Sequence, residues 1–219
     1  KNKKTKRAQT GIPDGGFHLV LLAENNVGWS NLLKLSTDSF LEGFYYKPRM
    51  DKSTLEKYSM GLIAINGHLG SSLAWHLQRY DVEKDPKRWE NAVSEARWHK
   101  DVFGKNNYGK PCFFVEIQVN GVEDQNIINP HLIKLASEIE VPIVGDNDAH
   151  FLLKEDWNVH DTLCCISMQK TKTDQNRIKY PKDLYVKSTK EMSISFRGLE
   201  EAIFNTREIS NRCNVKLDF

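Results

Sequence analysis

Hydrophobic positions in this chain fall into short dense runs separated by longer amphipathic stretches. Phe17 to Leu22 (FHLVLL) is a compact apolar run suited to a buried strand, and Leu32, Leu33, Leu35 and Phe40 then return at helical spacing between Asn25 and Phe40. The same order recurs three times. Gly61 to Ile65 (GLIAI) predicts a strand followed by a helix from about Ser71 to Tyr80. Cys112 to Val119 (CFFVEIQV) predicts one followed by a helix from Glu123 to Glu140, and Val141 to Val144 (VPIV) one followed by a helix near Lys154 to Met168. A further helix is expected between Asp85 and Phe103, with Trp89, Val93, Ala96 and Phe103 inward. Leu184 to Val186 reads as a short strand, and helices are expected at Thr189 to Phe196 and Leu199 to Asn211.

Strands this apolar have no face left for water, so the alternation implies an α/β fold with parallel strands covered by helices. A barrel and a doubly wound sheet both satisfy the pattern. No internal repeat and no low-complexity segment interrupts it.

Composition narrows the class. With 219 residues, 39% of them hydrophobic and 27% charged, the chain can bury one substantial core, which excludes a disordered or fibrous protein. No apolar run approaches the roughly 20 residues that cross a bilayer, and the opening residues lack the apolar stretch of a secretory signal. The expectation is a cytoplasmic protein with no membrane partner. The four cysteines, Cys112, Cys164, Cys165 and Cys213, have no C-x-x-C spacing and read as reduced residues in or near the core. A net charge of +2 is too small to argue for nucleic-acid binding by bulk electrostatics. Lys1, Lys3, Lys4, Lys6 and Arg7 do form a local basic cluster, read either as a solvated loop or as a phosphate contact, so residues 1–16 are set apart as a basic arm and residues 17–219 as the folded domain. The absence of an initiating Met, with that arm leading straight into a strand, raises the expectation that the chain is cut from something longer.

In parallel α/β architectures, ligands collect beyond the carboxyl ends of the strands, where loops and helix N-termini converge. His68 follows the GLIAI strand in N-G-H-L-G-S-S, Asn120 follows CFFVEIQV, and Asp148 and His150 follow VPIV in G-D-N-D-A-H. Three successive strand ends therefore present polar residues toward one rim. A carboxylate and an imidazole two residues apart on an extended backbone project the same way and can share one cation. The same Asp146, Asn147 and Asp148 can equally make turn or N-cap bonds, and His68 can be a loop imidazole bonded to backbone. His76, His99, His131 and His160 read as packing or surface residues, and the five tryptophans as anchors on helix faces.

Five blocks, in order, carry a resemblance: FHLVLLAENNVGWSNLLKL (Phe17 to Leu35), FLEGFYYKPRMD (Phe40 to Asp51), GLIAINGHLG (Gly61 to Gly70), DNDAHFL (Asp146 to Leu152) and EISNRCNVKL (Glu208 to Leu217). Together they closely resemble the PHP (polymerase and histidinol phosphatase) region of DNA polymerase III alpha subunits, from about Phe17 to the last residue. The resemblance implies a (β/α)7-type PHP barrel, here incomplete, because the family's opening H-x-H motif, its D-H segment and a further glutamate would lie upstream of Phe17. It implies divalent metal, Zn or Mn, at the rim, with His68, Asp148 and His150 at the matching ligand positions, and a proofreading 3'-5' nuclease in members whose site is intact. Asn120 stands where the family usually has His in E-x-Q-x-H-G, so one ligand position is substituted. For a parent polymerase the resemblance implies DNA synthesis with Mg, a primer-template and other polymerase III subunits as partners, and catalytic aspartates downstream of Phe219. The segment alone is then expected to be inactive and to brace the thumb and palm. The competing reading is a stand-alone metal-dependent phosphoesterase of the histidinol phosphatase type.

Overall fold

A computed structural model describes residues 16–217. The basic cluster of the expected arm lies outside the described residues. In chain order the elements are β1 (Val20–Ala23), α1 (Asn26–Leu41), α2 (Lys52–Lys57), β2 (Leu62–Asn66), α3 (Ser72–Glu83), α4 (Pro86–Phe103), β3 (Phe113–Gln118), α5 (Glu123–Glu138) and β4 (Ile143–Asp146). A 3-10 turn (Lys154–Asp156) then leads into α6 (Trp157–Ser167), α7 (Thr189–Ser195) and α8 (Glu200–Arg212). No helix among the described residues is long and apolar enough to cross a membrane.

Local chemistry starts these helices where the sequence changes period. Asn25, Asp51, Ser71 and Asp85 each accept a backbone N–H of the first turn that follows, and Pro86 occupies the opening position of α4, where its missing N–H costs nothing. Ser188 and Glu191 bond reciprocally to start α7. The strand expected at Leu184 to Val186 is reduced to a single parallel bridge between Phe151 and Tyr185.

The four strands form one sheet in the order β1-β2-β3-β4, in which β2, β3 and β4 are parallel. The expectation of a wholly parallel sheet fails at one edge, because β1 runs antiparallel to β2, with Val20 opposite Ile65 and Ala23 opposite Leu62. A hydrophobic run reads the same in either direction, so the direction of β1 is decided by contacts at its ends. Glu24 N–H bonds to Gly61 O at 2.9 Å, and α1 then starts hard against the entry of β2. A Cβ on Gly28 would lie 1.9 Å from Gly61 O, so only glycine permits that approach.

Two apolar layers hold the sheet. On the helix-covered face, Ala64, Phe113, Val115 and Ile117 pack with Leu73, Leu77, Ala96, Leu132 and Leu135 from α3, α4 and α5. On the other, Ile63, Phe114 and Val144 meet Ile209 of α8 in a much smaller cluster. Above Phe114 this second face turns polar, because strand alternation continues it through Glu116 and Gln118. The outer edge of β4 is blunted by Asn205, whose side-chain amide donates to Ile143 O at 2.8 Å.

At the opposite end from the rim, α8 closes the sheet. Arg212 Nε donates to Glu24 Oε1 at 2.8 Å, Nη1 donates to Pro111 O at 2.8 Å, and Nη2 lies 3.2 Å from Cys112 Sγ. Asn106 also donates to Glu24 Oε1. The Glu24 and Arg212 side chains are only 11% and 10% exposed, so neither has water to replace a lost partner. Arg212→Ala should therefore lower unfolding free energy by about 3–5 kcal/mol in urea titrations, as for other broken buried pairs. Arg212→Lys should recover only part of it, since an ammonium cannot fork onto three acceptors.

Candidate functional site

Because β2, β3 and β4 are parallel, their carboxyl ends open onto one rim, and antiparallel β1 delivers its amino end there. His18, just before β1, donates its N–H to Gly70 O at 2.9 Å and places its ring 5.3 Å from that of His68. The ring of His68 is half-buried, and its Nδ1 accepts Gly70 N–H at 3.1 Å. Burial, and then the neighbouring His18, hold the His68 pKa below the usual imidazole range, while Asp148 and Asp146 pull the other way. A neutral His68 whose Nδ1 is an acceptor carries its proton on Nε2.

Beneath the rim lies a ladder of side chains along β3. Gln118 Nε2 donates to Glu116 Oε1 at 2.6 Å, Asn120 Nδ2 donates to Gln118 Oε1 at 3.0 Å, and Val122 N–H donates to Asn120 Oδ1 at 3.2 Å. Glu116 is 3% exposed, and its other oxygen, Oε2, receives no donor among the described residues. Desolvation, with the charge of Asp146 next in weight, pushes the Glu116 carboxyl up to about 8. The two findings agree if Glu116 is protonated, because a carboxylic acid donates from the oxygen that lacks a donor, and Asp146 is the acceptor within reach. Glu116 had a signal in the sequence: it is the one acidic residue in the apolar run CFFVEIQV, and a charge in a buried strand needs a reason.

The D-x-H segment departs from the expected extended backbone. Asp148 has φ +51° in the left-handed region, and its N–H bonds to Asp146 Oδ2 at 3.1 Å. The regular strand alternation is lost there. The ring of His150 lies 4.8 Å from Tyr180 and 5.7 Å from His160. Its Nδ1 lies 2.6 Å from Asp148 O, a carbonyl that can only accept, so Nδ1 carries a proton and Nε2 offers the lone pair of the neutral ring. Asp148 Oδ1 is 3.9 Å from that same Nδ1. The fold thus brings His68, Asp146 and Asp148 into one electrostatic neighbourhood with His18 and Glu116, spends Asn120 on the ladder, and groups His150 with His160 and Tyr180. Among the described residues no group of three or more His, Cys, Asp or Glu is arranged to hold a metal ion.

The chain matches the PHP domain over residues 7–120. It belongs to the PHP domain family. The match takes in His68, Glu116 and Asn120, while Asp148 and His150 lie beyond it. The chain is 39% identical over 215 residues to the DNA polymerase III subunit alpha of Borreliella burgdorferi, covering 98% of this chain and 18% of that protein. It is 39% identical over 206 residues to the same subunit of Campylobacter jejuni, covering 92% and 17%, and 35% identical over 213 residues to that of Thermus aquaticus, covering 94% and 16%. The chain therefore spans less than a fifth of the length of these curated relatives.

The buried acid of this PHP domain makes stability depend on pH. The folded-state pKa of Glu116 lies above the ordinary 4.5, so the fold favours the protonated form: its contribution is complete below about pH 4.5 and is lost as pH rises toward 8. Unfolding free energy should fall across that window by at most about 1.4 kcal/mol per pH unit from this group. Glu116→Gln, which keeps the acceptor for Gln118 and a donor for Asp146, should flatten that slope and leave the protein more stable than the parent at pH 8, as read by urea unfolding from pH 5 to 9.

Proposed function

We propose that this chain is the PHP portion of a DNA polymerase III alpha subunit, and that it serves DNA-templated DNA synthesis in chromosome replication as a scaffold rather than as a catalytic centre. The observation that carries the reading is continuous similarity: curated relatives of that name align with 92–98% of the chain at 33–39% identity. The parent protein would act in the cytoplasm on a primer-template with Mg and with other polymerase III subunits.

The incomplete (β/α)7 barrel expected from the resemblance remains part of this proposal, supported by three parallel strand ends opening onto one rim. We read His68, Asp148 and His150 as the remnant of a site for Zn or Mn. As folded, these groups do not fit an ion: His68 Nδ1 is held by Gly70, His150 sits with His160 and Tyr180, and Asn120 is engaged at both ends of its amide. What this chain's own residues supply at the rim is a connected set of hydrogen bonds that stiffens it.

The test uses the full-length protein carrying His68→Ala, Asp148→Ala and His150→Ala together. Primer extension with Mg should stay within about 2-fold of the parent, and any 3'-5' trimming with Zn or Mn should be unchanged. A loss of trimming greater than about 10-fold would return the rim to catalytic duty, as in a metal-dependent phosphoesterase. Failure of the parent protein itself to extend a primer would remove the polymerase reading.

A further inference from the structure

Charge in this chain is segregated in a way its total of +2 conceals. Between Lys170 and Lys190 there are seven basic side chains, Lys170, Lys172, Arg177, Lys179, Lys182, Lys187 and Lys190, against Asp174 and Asp183, so the remainder of the chain is net acidic. Two of the seven serve the fold. Arg177 forks onto both carboxylate oxygens of Asp161 at 2.5 and 3.1 Å, and Lys187 turns inward to donate to Val119 O at 2.9 Å. The other five are exposed, and none makes a salt bridge among the described residues, whereas Lys52, Lys84 and Lys110 elsewhere each reach a carboxylate.

These lysines are carried on a fixed track. Asn147 Nδ2 donates to Asp183 O at 2.9 Å and Tyr185 O at 2.7 Å, His150 N–H donates to Leu184 O at 2.7 Å, and Trp157 Nε1 donates to Tyr180 O at 2.8 Å. Lys172 reaches Asn158 Oδ1 at 2.7 Å, Lys182 lies 4.7 Å above the Trp157 ring, and the charge of Lys179 is felt at Asp161. Lys172, Lys179 and Lys182 therefore gather along the first turns of α6. The rings of Tyr180, His160 and His150 cluster on the same helix and loop, with centroids 4.8–5.7 Å apart.

We propose that this track, centred on Lys172, Lys179 and Lys182 and continued by Lys170 just past the end of α6, is a contact surface for the sugar–phosphate backbone of single-stranded nucleic acid. Exposed lysines without a carboxylate partner neutralise phosphates and release counterions. Adjacent aromatic rings favour a single strand with exposed bases over an acidic protein segment, which has no use for stacking. The exposed carboxylates of Asp146 and Asp148 bound the track and hold an anionic strand off the rim itself. The assignment to DNA rests on the polymerase reading above; the phosphate chemistry does not.

The test has two arms on the full-length protein. In the first, an oligo-dT strand is titrated against protein carrying Lys170→Gln, Lys172→Gln and Lys179→Gln. The salt slope of log affinity should become shallower by about 2, and binding at low salt should weaken by about 10-fold. Lys87→Gln, Arg97→Gln and Lys134→Gln, which remove equal charge from the outer faces of α4 and α5, should do neither. In the second, p-benzoylphenylalanine replacing Lys182 should photocross-link to oligo-dT. An unchanged slope with no DNA cross-link overturns the proposal, as does cross-linking only to an acidic protein. If DNA cross-links but the protein extends no primer, the contact stands and the polymerase reading falls; the converse result separates them the other way.

Discussion

The Glu24–Arg212 pair is the interaction on which the rest of the molecule leans. It joins the end of β1, the segment entering β3 and the last turn of α8, three places far apart in sequence. The chain beyond α8 adds to the same closure, with Asn214 N–H on Glu24 O at 3.0 Å and Asn26 exchanging bonds with Lys216 at 2.8 and 2.9 Å. Two charges taken from water cost several kcal/mol each unless every donor and acceptor is met, and here three guanidinium nitrogens and an amide meet them. With that end closed, β1 is committed to its antiparallel course, and its amino end must arrive at the rim. The meeting of His18 with His68 follows from an ion pair at the far end of the same strand.

A second constraint runs up β3. The strand is buried on both faces, so any polar side chain in it must find its partner within the sheet's own layer. Glu116, Gln118 and Asn120 do so by bonding to one another at alternate positions, and the ladder ends on a backbone N–H at the start of α5. Such a ladder fixes the amides and leaves one carboxyl oxygen facing Asp146. The rim is thereby tied together by hydrogen bonds and brings the carboxyl groups of Glu116 and Asp146 close together.

How much of the candidate site was legible varied with the physics involved. Placing His68, Asn120 and Asp148 at one rim needed only the rule that parallel strands end together, and the structure brings the ends of β2, β3 and β4 to one side. The extended backbone expected at Asp148 is not found, and its φ of +51° goes with the bond between Asp148 N–H and Asp146 Oδ2. Such local side-chain competition has no period to read. His160 looked like an ordinary helix residue, because its nearness to His150 and Tyr180 depends on how the loop after α6 folds back.

Legible in the linear pattern were four strands, the longer helices, most of their starts and the rim that the strand ends share, whereas the short helix Lys52–Lys57 was not. The legible features follow from hydrophobic period and from side chains that cap their own neighbours, interactions spanning only a few residues. The direction of β1, the reduction of the Leu184 strand to one bridge, the raised pKa of Glu116 and the partners of each rim group came only with the folded chain. Those depend on desolvation and on contacts between residues far apart in the chain, and no linear pattern encodes which distant group will be there when water is removed.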